Sequence, residues 1–132
     1  MRLTADTSFF IRLSEGAPKA ISIWEDIVEG KNRLVIPTVV IVELKNRYHR
    51  KGLHKEADEL VSTFEHSTKI TILPLTLDLA KKAGKLAFTY SLTPFDSVVL
   101  ASAIETGYET MLTSDPLFVR PQKEDHIKIE RI

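Results

Sequence analysis

Four short apolar stretches, RLTAD at 2–6, RLVIP at 33–37, KITILPL at 69–75 and ETMLTSD at 109–115, are separated from one another by segments of helical character, each more than ten residues long. Parallel neighbours cannot be joined by tight turns, so this alternation demands crossover connections and an α/β fold. HIKIERI at 126–132 alternates polar and apolar residues and reads as a final strand at an edge. The expectation is a central, mainly parallel sheet of four or five strands. Ligands of such sheets bind outside the carboxyl ends of the strands, where the strand order reverses.

The connecting segments carry helix signals. TSFFIRLSE follows the first strand at once. PKAISIWEDIVEG opens at Pro18 and closes at Gly30, with Ala20, Ile23, Trp24, Ile27 and Val28 at helical spacing. TVVIVELKNRYHRKG predicts a helix with Thr38 as its N-cap and Gly52 as its stop, and its VVIVEL run reads as packed on all sides. LHKEADELVSTFEHS places Leu53, Ala57, Leu60, Val61 and Phe64 on one face. TLDLAKKAGKLAFTYSL and LTPFDSVVLASAIETG follow as successive helices, the second an ordinary amphipathic one except for Asp96 in its first turn. PLFVRP reads as a short turn of helix.

A chain of 132 residues without a linker or repeat is one domain, 1–132, large enough to bury a core. Its 18 basic and 18 acidic residues leave no net charge, so it lacks the global basic field that holds nucleic acid by phosphate attraction alone. Any such contact is local. The densest basic stretch, Leu44 to Lys55, is either a solvated helix face or a substrate-facing patch. With no cysteine there is neither a disulfide framework nor a thiolate metal ligand. Asp6 stands where a secretory signal needs an apolar core, and no apolar run approaches the length of a membrane span. The expectation is a soluble cytoplasmic protein.

The carboxyl ends of the strands focus attention on four acids. Asp6 closes the first strand, Asp115 follows MLT by two residues, Glu43 lies in the helix after the second strand, and Asp96 lies in the first turn of a later helix. Each has a structural alternative. Asp6 and Asp115 suit N-caps, the latter with Pro116 behind it, and Thr93 with Asp96 resembles a capping box. Glu43 interrupts an apolar run, where an unpaired carboxylate costs several kcal/mol. An exposed pair with Arg47, worth about 0.3 to 0.5 kcal/mol, would not explain it. Gathered together, the acids repel one another unless a cation neutralises them. Their hard oxygens favour Mg²⁺ or Mn²⁺ over zinc. Such an ion suits phosphodiester hydrolysis, because it acidifies a water and neutralises charge on phosphate oxygens.

Taken in order, ADTSFFI, VVIVEL, TPFDSVVLASA and LTSD resemble the PIN-domain ribonucleases, in particular the VapC-type toxins of toxin–antitoxin pairs. The resemblance covers the whole chain and implies a three-layer α/β/α fold. It also implies an endoribonuclease dependent on Mg²⁺ or Mn²⁺, leaving a 5′-phosphate and a 3′-hydroxyl. The family's metal-binding acids fall on Asp6, Glu43, Asp96 and Asp115, with Thr113 and Ser8 as supporting hydroxyls. Glu43 is left as either ligand or base. RNA substrate, a cognate antitoxin and a second copy of the chain are the implied partners, with no membrane. Phe9, Phe10, Ile23 and Trp24 are expected either to meet the antitoxin or to belong to the core. Two alternatives stand beside this reading: a phosphatase with Asp6 as nucleophile, against which Ser8 replaces that class's second aspartate, and a non-catalytic module that binds a protein or RNA.

Overall fold

The computed structural model describes residues 1–108, 110–114 and 127–132. Along these run strand β1 (Arg2–Ala5), helices α1 (Thr7–Ser14) and α2 (Pro18–Val28), strand β2 (Arg33–Pro37), and helices α3 (Thr38–Arg50) and α4 (His54–His66). Strand β3 (Ile70–Leu73), helices α5 (Leu77–Tyr90) and α6 (Pro94–Thr106), and strands β4 (Thr110–Thr113) and β5 (Lys128–Arg131) follow. The five strands form one sheet in the order β3-β2-β1-β4-β5, and every adjacent pair is parallel. This is the α/β fold that the alternation demands, in the three layers that the resemblance implies, with β5 at the expected edge. PLFVRP lies outside the described residues.

The order fixes where the molecule can bind a ligand. From β1 the chain steps outward to β2 and β3, then returns to lay β4 on the other side of β1. Right-handed crossovers therefore put α1 to α4 on one face and α5 and α6 on the other. The reversal falls between β1 and β4, so their carboxyl ends open the crevice.

The core explains the composition of the helices. Phe9 and Phe10 are fully buried, with Phe10 edge-on to Trp24 and tilted against Phe64. Of the residues expected either at a partner surface or in the core, Phe9 and Phe10 are core, and Ile23 and Trp24 are half-buried against it. Tyr48, in the middle of the basic stretch, is also buried and donates its hydroxyl to the Phe10 carbonyl at 2.5 Å. Burial pushes that phenol up to about 12. The basic stretch thus runs from α3 into the start of α4, anchored by buried Leu44 and Tyr48, with most of its charged residues at the surface.

Three local expectations need correction. Thr38 is not the N-cap of α3: Pro37 occupies that position, and the Thr38 hydroxyl instead accepts from the Leu75 amide at 3.3 Å. VVIVEL is not packed on all sides, since Val42 is 62% exposed and Glu43 half-buried. Nor is α6 amphipathic. Every residue from Ser97 to Ala103 is buried, because the sheet covers one side of the helix and α5 packs along the other. The small residues Ser97, Ala101, Ser102 and Ala103 allow that double approach, and Ser102 returns its hydroxyl to the Val98 carbonyl at 2.7 Å.

Candidate active site

The polar residues of the crevice belong to the junctions at the ends of β1 and β4. The Asp6 amide extends the ladder to the Leu112 carbonyl at 3.3 Å, and Asp6 then leaves the strand as the N-cap of α1. One carboxylate oxygen accepts from the Phe9 amide at 3.3 Å and from the Ser8 hydroxyl at 2.5 Å. The other accepts from the Thr113 hydroxyl at the end of β4. The Ser8 oxygen in turn accepts from the Ser114 amide at 2.9 Å. The first strand's acid, the helix it caps and the fourth strand are stitched together at the point of reversal.

Asp6 is only 5% exposed, and among the described residues no lysine or arginine pairs with it. Burial drives its carboxyl above the ordinary carboxylate range, while the hydrogen bonds from Ser8, Thr113 and Phe9 pull it back. The arrangement suits a carboxylate oriented to face a cation. It is costly without one.

Glu43 reaches the same neighbourhood from α3. Its carboxylate accepts from the Thr7 hydroxyl at 3.0 Å, the residue immediately after Asp6. No ion pair with Arg47 is formed among the described residues, so the helical-pair alternative fails. Thr7 is a site-building residue that the sequence reading missed. A buried hydroxyl in the first turn of a helix, beside a strand-ending acid, is the signal that could have found it.

Asp96 occupies the first turn of α6, half-buried, and its amide donates to the N-cap Thr93 hydroxyl at 3.2 Å. Val98, two residues on, clusters with Val39 at the start of α3 and Leu79 at the start of α5. That cluster sets the first turn of α6 over the carboxyl end of β2. Thr113 is fully buried and Ser8 half-buried, both bonded to the network around Asp6. Asp115 lies outside the described residues, and among those described no group of three or more acids or histidines is gathered closely enough to hold a metal ion.

Comparison with known proteins bears on this geometry. A family model described as PIN domain matches residues 4–124. A toxin–antitoxin complex from Klebsiella pneumoniae superposes with a TM-score of 0.70 at 19% identity, covering 89% of this chain and 90% of that one. VapC20 of Mycobacterium tuberculosis, a toxin that cleaves the sarcin–ricin loop, gives 0.68 at 17% identity over 83% and 86% of the two chains. VapBC2 of Rickettsia felis, bound to a DNA fragment from its promoter, gives 0.71 at 13% identity over 100% and 99%. No curated protein sequence matches significantly. At these identities the structural likeness concerns the fold.

Proposed function

The chain belongs to the PIN-domain family, and from that premise we propose that it is a metal-dependent endoribonuclease of the VapC type, the toxin of a toxin–antitoxin pair. The observation that carries the proposal is Asp6, a buried carboxylate at the reversal of strand order, aligned by two hydroxyls and an amide and, among the described residues, paired with no lysine or arginine. The donor chemistry fits a hard divalent ion. Asp6, Asp96 and Asp115 would hold Mg²⁺ or Mn²⁺, with Glu43 as a further ligand or as the base toward water. A bound ion of this kind supplies an acidified water and neutralises charge developing on the scissile phosphate.

The chain's own residues have separable tasks in this reading. Ser8, Thr113 and the Phe9 amide fix the Asp6 oxygens and favour their charged form. Thr7 orients Glu43, so that a carboxylate on α3 and one at the end of β1 face the same crevice. Thr93 holds the turn that carries Asp96.

The partners are part of the proposal. RNA is the substrate, and the toxin–antitoxin neighbours support a cognate antitoxin. A second copy of the chain finds exposed apolar surface in Phe88, Leu77 and Val42, which are 89%, 74% and 62% exposed. A monomeric mass in solution would remove the homodimer. A cytoplasmic site of action belongs to the same proposal; among the described residues no helix is long and apolar enough to cross a membrane.

The test is cleavage of single-stranded and structured RNA in Mg²⁺ or Mn²⁺, with Asp6→Asn and Asp96→Asn alongside. Loss of cleavage by about 10²- to 10⁴-fold in both is expected; equal cleavage by all three proteins would sink the assignment. One observation favours a second reading, a binding module that keeps its acids as caps: among the described residues no three acids meet. Calorimetry that detects no Mn²⁺ binding by the purified protein would select it.

A further inference from the structure

Beside the Asp6 network lies a cleft of roughly 370 Å³ lined by Ser8, Ile11, Arg12, Glu15, Arg47 and Ser114. Two of these residues belong to both features. Ser8 donates to Asp6, and Ser114 donates its amide to Ser8, so the cleft begins one hydroxyl away from the buried carboxylate. Its two arginines come from different helices with the same offset. Arg12 is four residues after Ser8 on α1, and Arg47 is four residues after Glu43 on α3. A spacing of four keeps each on the side of its helix that faces the site, about 6 Å further along the axis.

The guanidinia have no partner among the described residues. Lys19, Lys31, Lys45 and Lys82 all sit in ion pairs, and Lys51 donates to Ser14 at 2.8 Å. Among the described residues Arg12 and Arg47 make neither an ion pair nor a hydrogen bond. Both stand in the last turn of a helix, where the macrodipole favours a cation by about 0.3 to 1 kcal/mol. That accounts for their sign but not for their convergence on one cleft. In a chain of zero net charge, two arginines that are unpaired among the described residues and line one cleft beside a buried acid make a local cationic feature of the kind that contact with a polyanion requires.

We propose that Arg12 and Arg47 form a clamp for an RNA phosphate flanking the scissile one, positioning the strand across the Asp6 crevice. The proposal rests on the ribonuclease reading. Guanidinium forks bind phosphate oxygens bidentately, and such contacts fix the register of a strand without reading its sequence. Glu15, in the same cleft, opposes the clamp and weakens it.

Anisotropy of a fluorescently labelled mixed-sequence single-stranded RNA, titrated with the whole chain in chelator, reads binding apart from cleavage. Arg12→Ala and Arg47→Ala are each expected to raise Kd about tenfold and to flatten the salt dependence by about 0.7 in slope. Each lysine replacement should restore part of the affinity, and Glu15→Gln should tighten binding. In cleavage assays the alanine variants should raise KM and leave kcat within about threefold, the signature of a positioning residue. Unchanged Kd and slope in both alanine variants, with RNA cleavage by the unaltered protein intact, would overturn the clamp alone. Variants that lose affinity for a glutamate-rich peptide of matched charge but not for RNA would overturn it in favour of a protein partner. If the unaltered protein neither binds nor cuts RNA, the clamp and the ribonuclease reading fall together.

Discussion

Asp6 and Asp96 both stand where a helix begins near the carboxyl end of the sheet, yet the fold treats them differently. Asp6 caps α1 with its own carboxylate and is buried, held by groups from two elements. Asp96 is half-buried in a turn already capped by Thr93. Capping alone therefore does not explain the first acid. A cap needs one oxygen directed at one amide, whereas Asp6 has both oxygens engaged and is pushed upward by the cost of burial. The fold bears that cost at one junction and avoids it at the other.

The largest effect that would break this comparison comes from Asp6→Asn measured in chelator as a function of pH. Asparagine retains the cap, so its main consequence is to remove the buried charge. Because the Asp6 carboxyl is raised above 3.8 in the folded protein, its contribution to stability is whole below pH 3.8 and is lost as pH rises through the folded value. The variant escapes that loss. Its melting temperature should match the parent's below pH 3.8 and exceed it at neutral pH, while cleavage falls by about 10²- to 10⁴-fold. A variant less stable than the parent at neutral pH would mean that the hydrogen bonds, not burial, dominate at Asp6.

Thr113→Val tests the same junction from the opposite strand with a smaller expected effect. It removes the one donor that β4 extends to Asp6 and leaves an oxygen of a buried carboxylate short of a partner, at a cost of about 1 to 3 kcal/mol. Losing a donor to the charged form lifts the Asp6 carboxyl further. The acidic limb of the cleavage profile should move to higher pH, and an unmoved limb would detach Thr113 from the chemistry.

How much of this was legible depends on the kind of information each residue carries. The alternation of strands and helices is written locally, and β1 to β4 with their parallel pairing follow from it; β5 was legible only as an edge strand, from its own polar–apolar alternation, and its parallel direction was not. Asp6 was legible because a strand end is a position and the fold class gives that position a meaning, whereas Ser8 and Thr113 were named only through the family resemblance. What could not be read was which side of an element a distant segment covers. The α6 pattern looks one-sided until α5 lies along its other face, and VVIVEL looks wholly buried until α3 is found to leave Val42 in solvent. Thr38 failed as a cap for a similar reason. Its hydroxyl is engaged by Leu75, a residue 37 positions away that local capping rules do not consider.

The smallest effect separates position from stability at the second acid. Thr93→Ala and Thr76→Ala remove equivalent caps, since each hydroxyl accepts an amide three residues on, from Asp96 at 3.2 Å and from Leu79 at 3.2 Å. Each should cost about 1 kcal/mol in denaturant unfolding. If Asp96 serves the site from a rigid first turn, only the Thr93 variant should lose cleavage beyond what its stability predicts, and added Mn²⁺ should recover part of it. Equal activity in the two variants would show that α6 holds Asp96 through its buried body, through Val98 against Val39 and Leu79, and that the capped turn contributes stability alone.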